Sequence, residues 1–113
     1  MSDAAPIKPA RIRELNDQLR CKAIGGRVVI TAGIHALGTA GVCQVLAAVA
    51  QFDNFTEDND PWGEHDCATL DVEGRRVIFK VDYCDRSLTA HSPDASDPAV
   101  TERVMIVMLA EEY

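Results

Sequence analysis

The chain has 113 residues, 47% of them apolar, which is enough for one domain with its own core and too ordered in character for a disordered tail. A formal net charge of −7 is unevenly spread: residues up to Arg27 carry a local +3, and the remainder carries −10. A surface this acidic excludes direct nucleic-acid binding as the first reading and favours partners with basic grooves. No apolar run approaches the ~20 residues a bilayer demands, and Met1-Ser-Asp-Ala-Ala-Pro6 lacks a signal-peptide pattern, so a cytoplasmic protein without membrane contact is expected. Cys21, Cys43, Cys67 and Cys84 are widely spaced and contain no C-x-x-C, so they read as reduced thiols.

Residues 1 to 9, with Pro6 and Pro9, read as a flexible lead-in to a single α+β domain over 10 to 113. From Ala10 to Lys22, Ile12, Leu15 and Leu19 fall on one helical face, and Gly25-Gly26 ends the helix. Arg27-Val-Val-Ile-Thr31 is a β-branched run bounded by glycines and predicts a buried strand. A second helix follows, with Val42, Val45, Leu46 and Val49 at i, i+3, i+4 and i+7. The intervening Gly33-x4-Gly38 has Walker spacing, but Thr39 stands where the phosphate-gripping lysine belongs, so nucleotide binding is not expected. His35 in that loop reads as a packing or surface residue.

Asp66 to Val72 and Arg75 to Tyr83 alternate around Glu73-Gly74, a hairpin signal. With a two-residue turn, Leu70 opposes Val77 and Ala68 opposes Phe79 on the apolar face, which continues through Val81 and Tyr83. The other face pairs Asp71 with Arg76, Cys67 with Lys80 and His65 with Asp82. After a Ser/Pro/Asp-rich loop over 85 to 96, Asp97 and Pro98 predict a helix start, and Val100 to Leu109 a central apolar helix that offers a homodimer contact. The expected order is therefore α-β-α-β-β-α, with a three-stranded, largely antiparallel sheet covered by helices on its apolar face.

The acidic stretch Phe52 to Asp66 links the second helix to the hairpin and holds the candidate site. Asp53, Phe55, Glu57, Asp58, Asp60, Trp62, Glu64 and Asp66 are the candidate partner-binding residues, with carboxylates imitating a phosphate array and the aromatics anchoring a protein interface. Asp58-x-Asp60-x-Trp62-Gly63 opens like a calcium loop, but Trp62 and Thr69 occupy ligand positions, so an EF-hand is excluded. A hard-metal site from Asp58, Asp60, Glu64 and Asp66 is the alternative. A second alternative is a small metal-dependent hydrolase centred on Glu64, His65, Asp66 and Asp82, in which Asp82 orients the imidazole. A lowered thiol pKa at Cys67 beside Lys80 is a further possibility, though a thiol nucleophile also needs a base. No complete catalytic signature is present, and no cofactor is expected.

Arg11-Ile-Arg-Glu-Leu-Asn16, Gly26-Arg-Val-Val29, Asn59-Asp-Pro-Trp-Gly-Glu-His-Asp66, Asp82-Tyr83 and the ending from Ser92 to Met108-Leu-Ala-Glu-Glu-Tyr113 resemble a bacterial family of short proteins classed as a domain of unknown function. The resemblance runs from about residue 10 to 113. Cys67 and Cys84 stand where that family carries an aromatic and a second tyrosine. The family is associated with plasmids and other mobile DNA, which implies an inhibitor of a host defence complex, of the anti-CRISPR or anti-restriction kind, acting on a basic nucleic-acid-binding site.

Overall fold

The computed structural model describes residues 8–113, and the first seven residues of the expected lead-in lie outside it. The first helix, α1, runs Lys8–Lys22, so it already includes Lys8 and Pro9. Strand β1 (Arg27–Ile30) follows, then a single helical turn α2 (Ala32–His35) and helix α3 (Gly38–Gln51). Strands β2 (Cys67–Val72) and β3 (Arg75–Cys84) make the hairpin, and β4 (Glu102–Leu109) ends in a 3-10 turn over Ala110–Glu112. The four strands form one mixed sheet in the order β1-β4-β3-β2, with β1 parallel to β4 and the other pairs antiparallel.

The hairpin has the register expected from its turn. Ala68 pairs with Phe79, Leu70 with Val77 and Asp71 with Arg76. Glu73 and Gly74 both have positive φ, 51° and 82°, the backbone that a two-residue turn needs to match strand twist. Beyond Cys67 the ladder ends: the Val81 N–H still donates to Asp66 O at 2.8 Å, but His65 has φ +56° and turns the chain away.

The last predicted helix is instead β4, one of two inner strands of a sheet with one strand more than expected. Asp97-Pro98 starts a turn, not a helix: Ala99 N–H donates to Asp97 Oδ1 at 2.9 Å and Val100 N–H to Asp97 O at 3.2 Å. The run that follows contains Val100, Thr101, Val104, Ile106 and Val107, and such β-branched side chains lose rotamer freedom in a helix and pack well on a pleated surface. The segment is apolar on both faces of the sheet, Met105 and Val107 on one and Val104 and Ile106 on the other, so it reads as a near-continuous apolar run. The proposed homodimer contact through a C-terminal helix therefore has no helix to use. The second correction concerns β1, expected to be buried. It lies at the sheet edge, with Val28 and Val29 exposed.

Helices α1, α2 and α3 lie on one side of the sheet. Leu19, Ile34, Val45 and Val49 close over Ala68, Val72, Val77, Phe79, Val81, Met105 and Val107. Fully burying a side chain such as Phe79 or Val107 contributes about 1.5–3 kcal/mol. Leu15 and Leu19 from the predicted stripe of α1 are buried, as are Val45 and Val49 of α3. All four cysteines are free thiols. Among the described residues, no helix is long and apolar enough to cross a membrane.

Candidate functional site

The loop from Asp53 to Asp66 is fixed from behind by α1. Asn16 is fully buried and continues the apolar stripe of Ile12, Leu15 and Leu19, where a polar side chain must find partners. Its Nδ2 donates to Glu64 O at 3.0 Å and to Tyr83 Oη at 2.8 Å, while its Oδ1 accepts from Arg103 Nε at 2.7 Å. Tyr83 in turn donates to Glu64 Oε1 at 2.9 Å, and Arg103 lies over the Tyr83 ring at 5.2 Å. Arg103 is 1% exposed, and its Nη2 also donates to Ala95 O. Burial pushes the Tyr83 phenol well up and pulls Arg103 down from its ordinary value. One turn earlier on α1, Arg13 Nη1 donates to Gly63 O at 3.0 Å.

His65 joins the same helix to the loop. Its Nδ1 lies 2.9 Å from Asp17 Oδ1, its Nε2 lies 3.7 Å from Asp60 Oδ2, and its ring stacks on Phe55 with centroids 3.8 Å apart. Asp60 is turned inward and accepts the Glu64 and His65 backbone N–H groups at 3.2 Å, so it holds the left-handed backbone at His65 in place. Arg20, also on α1, donates through Nη1 to Val49 O at 2.9 Å, Ala50 O at 3.2 Å and Phe52 O at 2.7 Å. Those are the last carbonyls of α3 and the first of the loop, so one cation caps a helix C-terminus and pins the start of the loop. Asp17 pairs with Arg20 at 3.0 Å as well as with His65.

The predicted partner-binding residues therefore separate into two groups. Asp60, Glu64 and Phe55 serve the interior: Asp60 and Glu64 accept internal hydrogen bonds, and Phe55 packs edge-on against Phe52 and Phe79. Asp66 is half-buried, and desolvation raises its carboxyl above the ordinary range. Asp53, Glu57, Asp58 and Trp62 face outward, and Trp62 is 77% exposed. The carboxylates of Asp58, Asp60, Glu64 and Asp66 do not converge, and no cluster of three or more potential metal ligands occurs among the described residues.

The expected pairing of His65 with Asp82 is not formed. His65 turns to Asp17 and Asp60, and Asp82 instead accepts from Lys80 at 3.2 Å. Asp66 and Asp82 line a cleft of about 440 Å3 with Tyr83, Cys84 and His91, and His65 does not contribute to its lining. The Cys67 thiol is raised, not lowered: partial burial comes first, Asp66 adds to it, and the opposing pull of Lys80 is smaller. In the glycine loop, a Cβ on Gly33 would lie 2.6 Å from the Glu112 carboxylate, which accepts the Gly33 N–H at 2.9 Å; Glu112 fills that space. His35 is exposed.

Asn16, Asp17, Arg20 and Arg103 were missed as site residues by sequence reasoning. A signal existed at Asn16, a polar residue on an otherwise apolar stripe. Arg103 also sits in phase with Met105 and Val107, which is visible only once the segment is read as a strand with period two.

No curated protein and no solved structure matches the chain. Residues 30–112 match the family described as protein of unknown function (DUF3768), and the chain belongs to that family.

Proposed function

We propose that the chain is a non-enzymatic binding module whose Asp53–Asp66 loop occupies a basic, nucleic-acid-holding groove on a partner protein. The observation that carries this reading is the exposure of Trp62 on a loop that Arg13, Asn16 and Asp60 fix from behind. Tryptophan is highly buried on average, and it is prominent among residues that dominate binding energy. A loop already ordered in the free protein loses little conformational freedom on binding. Asp53, Glu57 and Asp58 around it supply the negative charge; Asp60 and Glu64 support the loop, and Phe55 packs beneath it.

The mobile-DNA setting that the family resemblance implies makes restriction and CRISPR complexes the first partners to test. The chain, immobilised, is exposed to lysate from cells carrying both systems, at low and high salt, beside a variant with Asp53→Asn, Glu57→Gln, Asp58→Asn and Trp62→Ala. Capture of a nucleic-acid-handling complex by the natural chain alone, and its release by salt, is expected. Equal capture by both forms contradicts the reading.

A further inference from the structure

The outer edge of β3 is paired in two stages, with a gap between them. As far as Val81 it is paired on the β2 side, where the Val81 N–H donates to Asp66 O at 2.8 Å. The chain then turns away, with His65 at φ +56° and the Glu64 carbonyl held by Asn16. Farther along, residues 90–92 take up the edge through a bridge from His91 to Cys84. Ser92 N–H donates to Tyr83 O at 2.9 Å, and Asp85 N–H to Ala90 O at 2.9 Å. Between the two stages lie the Val81 carbonyl and the Tyr83 N–H. Backbone groups alternate from side to side along a strand, so the Tyr83 N–H points the same way as the Val81 N–H, away from β4. Arg103, opposite Tyr83, turns its own carbonyl toward Gly26. Among the described residues neither the Val81 carbonyl nor the Tyr83 N–H has a hydrogen-bond partner. The Asp66 N–H, which a continued ladder would aim at Val81 O, bonds its own carboxylate instead.

This gap opens into the cleft of about 440 Å3 that Asp66, Asp82, Leu88 and His91 also line. Its wall is fixed in advance: Asp85 Oδ1 accepts from Ser87 Oγ at 2.8 Å and from Thr89 N–H at 3.0 Å, which holds Leu88 between them at φ +63°. The charges in the lining are the carboxylates of Asp66 and Asp82. Asp82 shares its carboxylate with Lys80 at 3.2 Å, whereas Asp66 is half-buried and has no cationic partner among the described residues.

We infer that the cleft is a peptide site, which takes one basic residue of a partner's loop or chain end with its backbone on Val81 and Tyr83 and its cation on the Asp66 and Asp82 carboxylates. The backbone pattern selects a peptide. A carbonyl and an N–H two positions later, facing the same way, are the pair that a single residue of a parallel extended chain satisfies: its N–H donates to Val81 O, and its carbonyl accepts from Tyr83 N–H. That residue lies beside Asp82 and on the same face of the sheet, and the two carboxylates select a lysine or arginine side chain there. Asp66 and Ser92 close the edge on either side, so the gap admits one residue and not a long strand. The ordered walls lose little freedom when it is filled. This site stands independently of the groove that the Asp53–Asp66 loop is proposed to occupy.

The test is a titration of the isotope-labelled full chain with acetyl-Ala-Arg-Ala-amide, followed by amide NMR, beside the same peptide with norleucine or glutamate in the middle. Without peptide, the Tyr83 N–H is expected to exchange with solvent faster than the bonded Val81 and Ser92 amides. The arginine peptide is expected to shift the Tyr83 amide saturably and to bind about tenfold or more tightly than the norleucine peptide, with the glutamate peptide weaker still. Asp66→Asn with Asp82→Asn is expected to abolish the preference for arginine, and Trp62→Ala to leave the titration unchanged, which separates this site from the loop. A Tyr83 amide that does not move overturns the inference. Equal binding of the three peptides, or a preference that survives in the double variant, overturns it as well.

Discussion

The imidazole of His65 meets the carboxylate of Asp17 at 2.9 Å, across 48 residues of sequence, and so latches the acidic loop to the first helix. The same carboxylate holds Arg20, whose other nitrogen caps α3, so α1 fixes the loop at its start and near its end.

His65→Ala removes that latch and the ring stacked on Phe55. A hydrogen bond to a charged group contributes about 1.5–3 kcal/mol, and a loss of that order is expected in urea denaturation. The Glu64 amide, now held by Asp60, is expected to exchange faster with solvent, while amides in β3 and β4 keep their protection. Unchanged exchange at Glu64 contradicts a latching role.

Arg20→Ala leaves the Val49, Ala50 and Phe52 carbonyls without their donor in a site closed by Phe55 and Phe79. Leaving a buried acceptor without its donor costs about 1–3 kcal/mol. Thermal denaturation is expected to show one of the largest losses among α1 substitutions. A cost below that of an ordinary surface change means the carbonyls find water instead.

Gly26 lies just ahead of β1, beside Arg103 of β4. A Cβ there would press on the Arg103 carbonyl oxygen and stand 3.0 Å from Leu19 Cδ2. Backbone cannot yield as a side-chain tip can, so Gly26→Ala is expected to cost about 1–3 kcal/mol. Gly25 and Gly74 have open space around them but positive φ, 86° and 82°, so alanine there strains the backbone without a clash.

Asp66 sets a pH dependence. Desolvation raises its carboxyl pKa, its own backbone hydrogen bond opposes that, and the charge of Asp60 adds to it. The folded state then holds the proton more tightly than the unfolded chain, so this residue's contribution to stability falls as pH rises from the ordinary carboxylate range through the raised value. Asp66→Asn removes that fall. The variant is expected to melt above the natural protein at neutral pH, with the difference shrinking below about pH 4. A variant less stable at neutral pH contradicts the sign.

The hairpin was legible in the sequence because its faces and turn agree: alternation from Ala68 to Tyr83 and a Glu73-Gly74 turn fix the same register. The helices α1 and α3 were legible from their apolar spacing. The segment from Val100 to Leu109 was not, because Val104 and Ile106 on the less buried face are as apolar as Met105 and Val107 on the covered one, which hides the strand alternation, and Asp-Pro begins turns as well as helices. The candidate site was half legible. Local composition located the loop and Trp62, but its supports, Asn16, Asp17, Arg20 and Arg103, come from distant segments that only the folded chain brings together.

The most direct test of the account is competition for the partner's groove. A fluorescent DNA duplex bound to the captured complex is titrated with the chain, and anisotropy reports its release. The natural chain is expected to displace the DNA, and Trp62→Ala to weaken displacement by about 2 kcal/mol, roughly thirtyfold. A complex that holds the chain and the DNA together, with anisotropy unchanged, would contradict the proposal that the loop takes the place of nucleic acid.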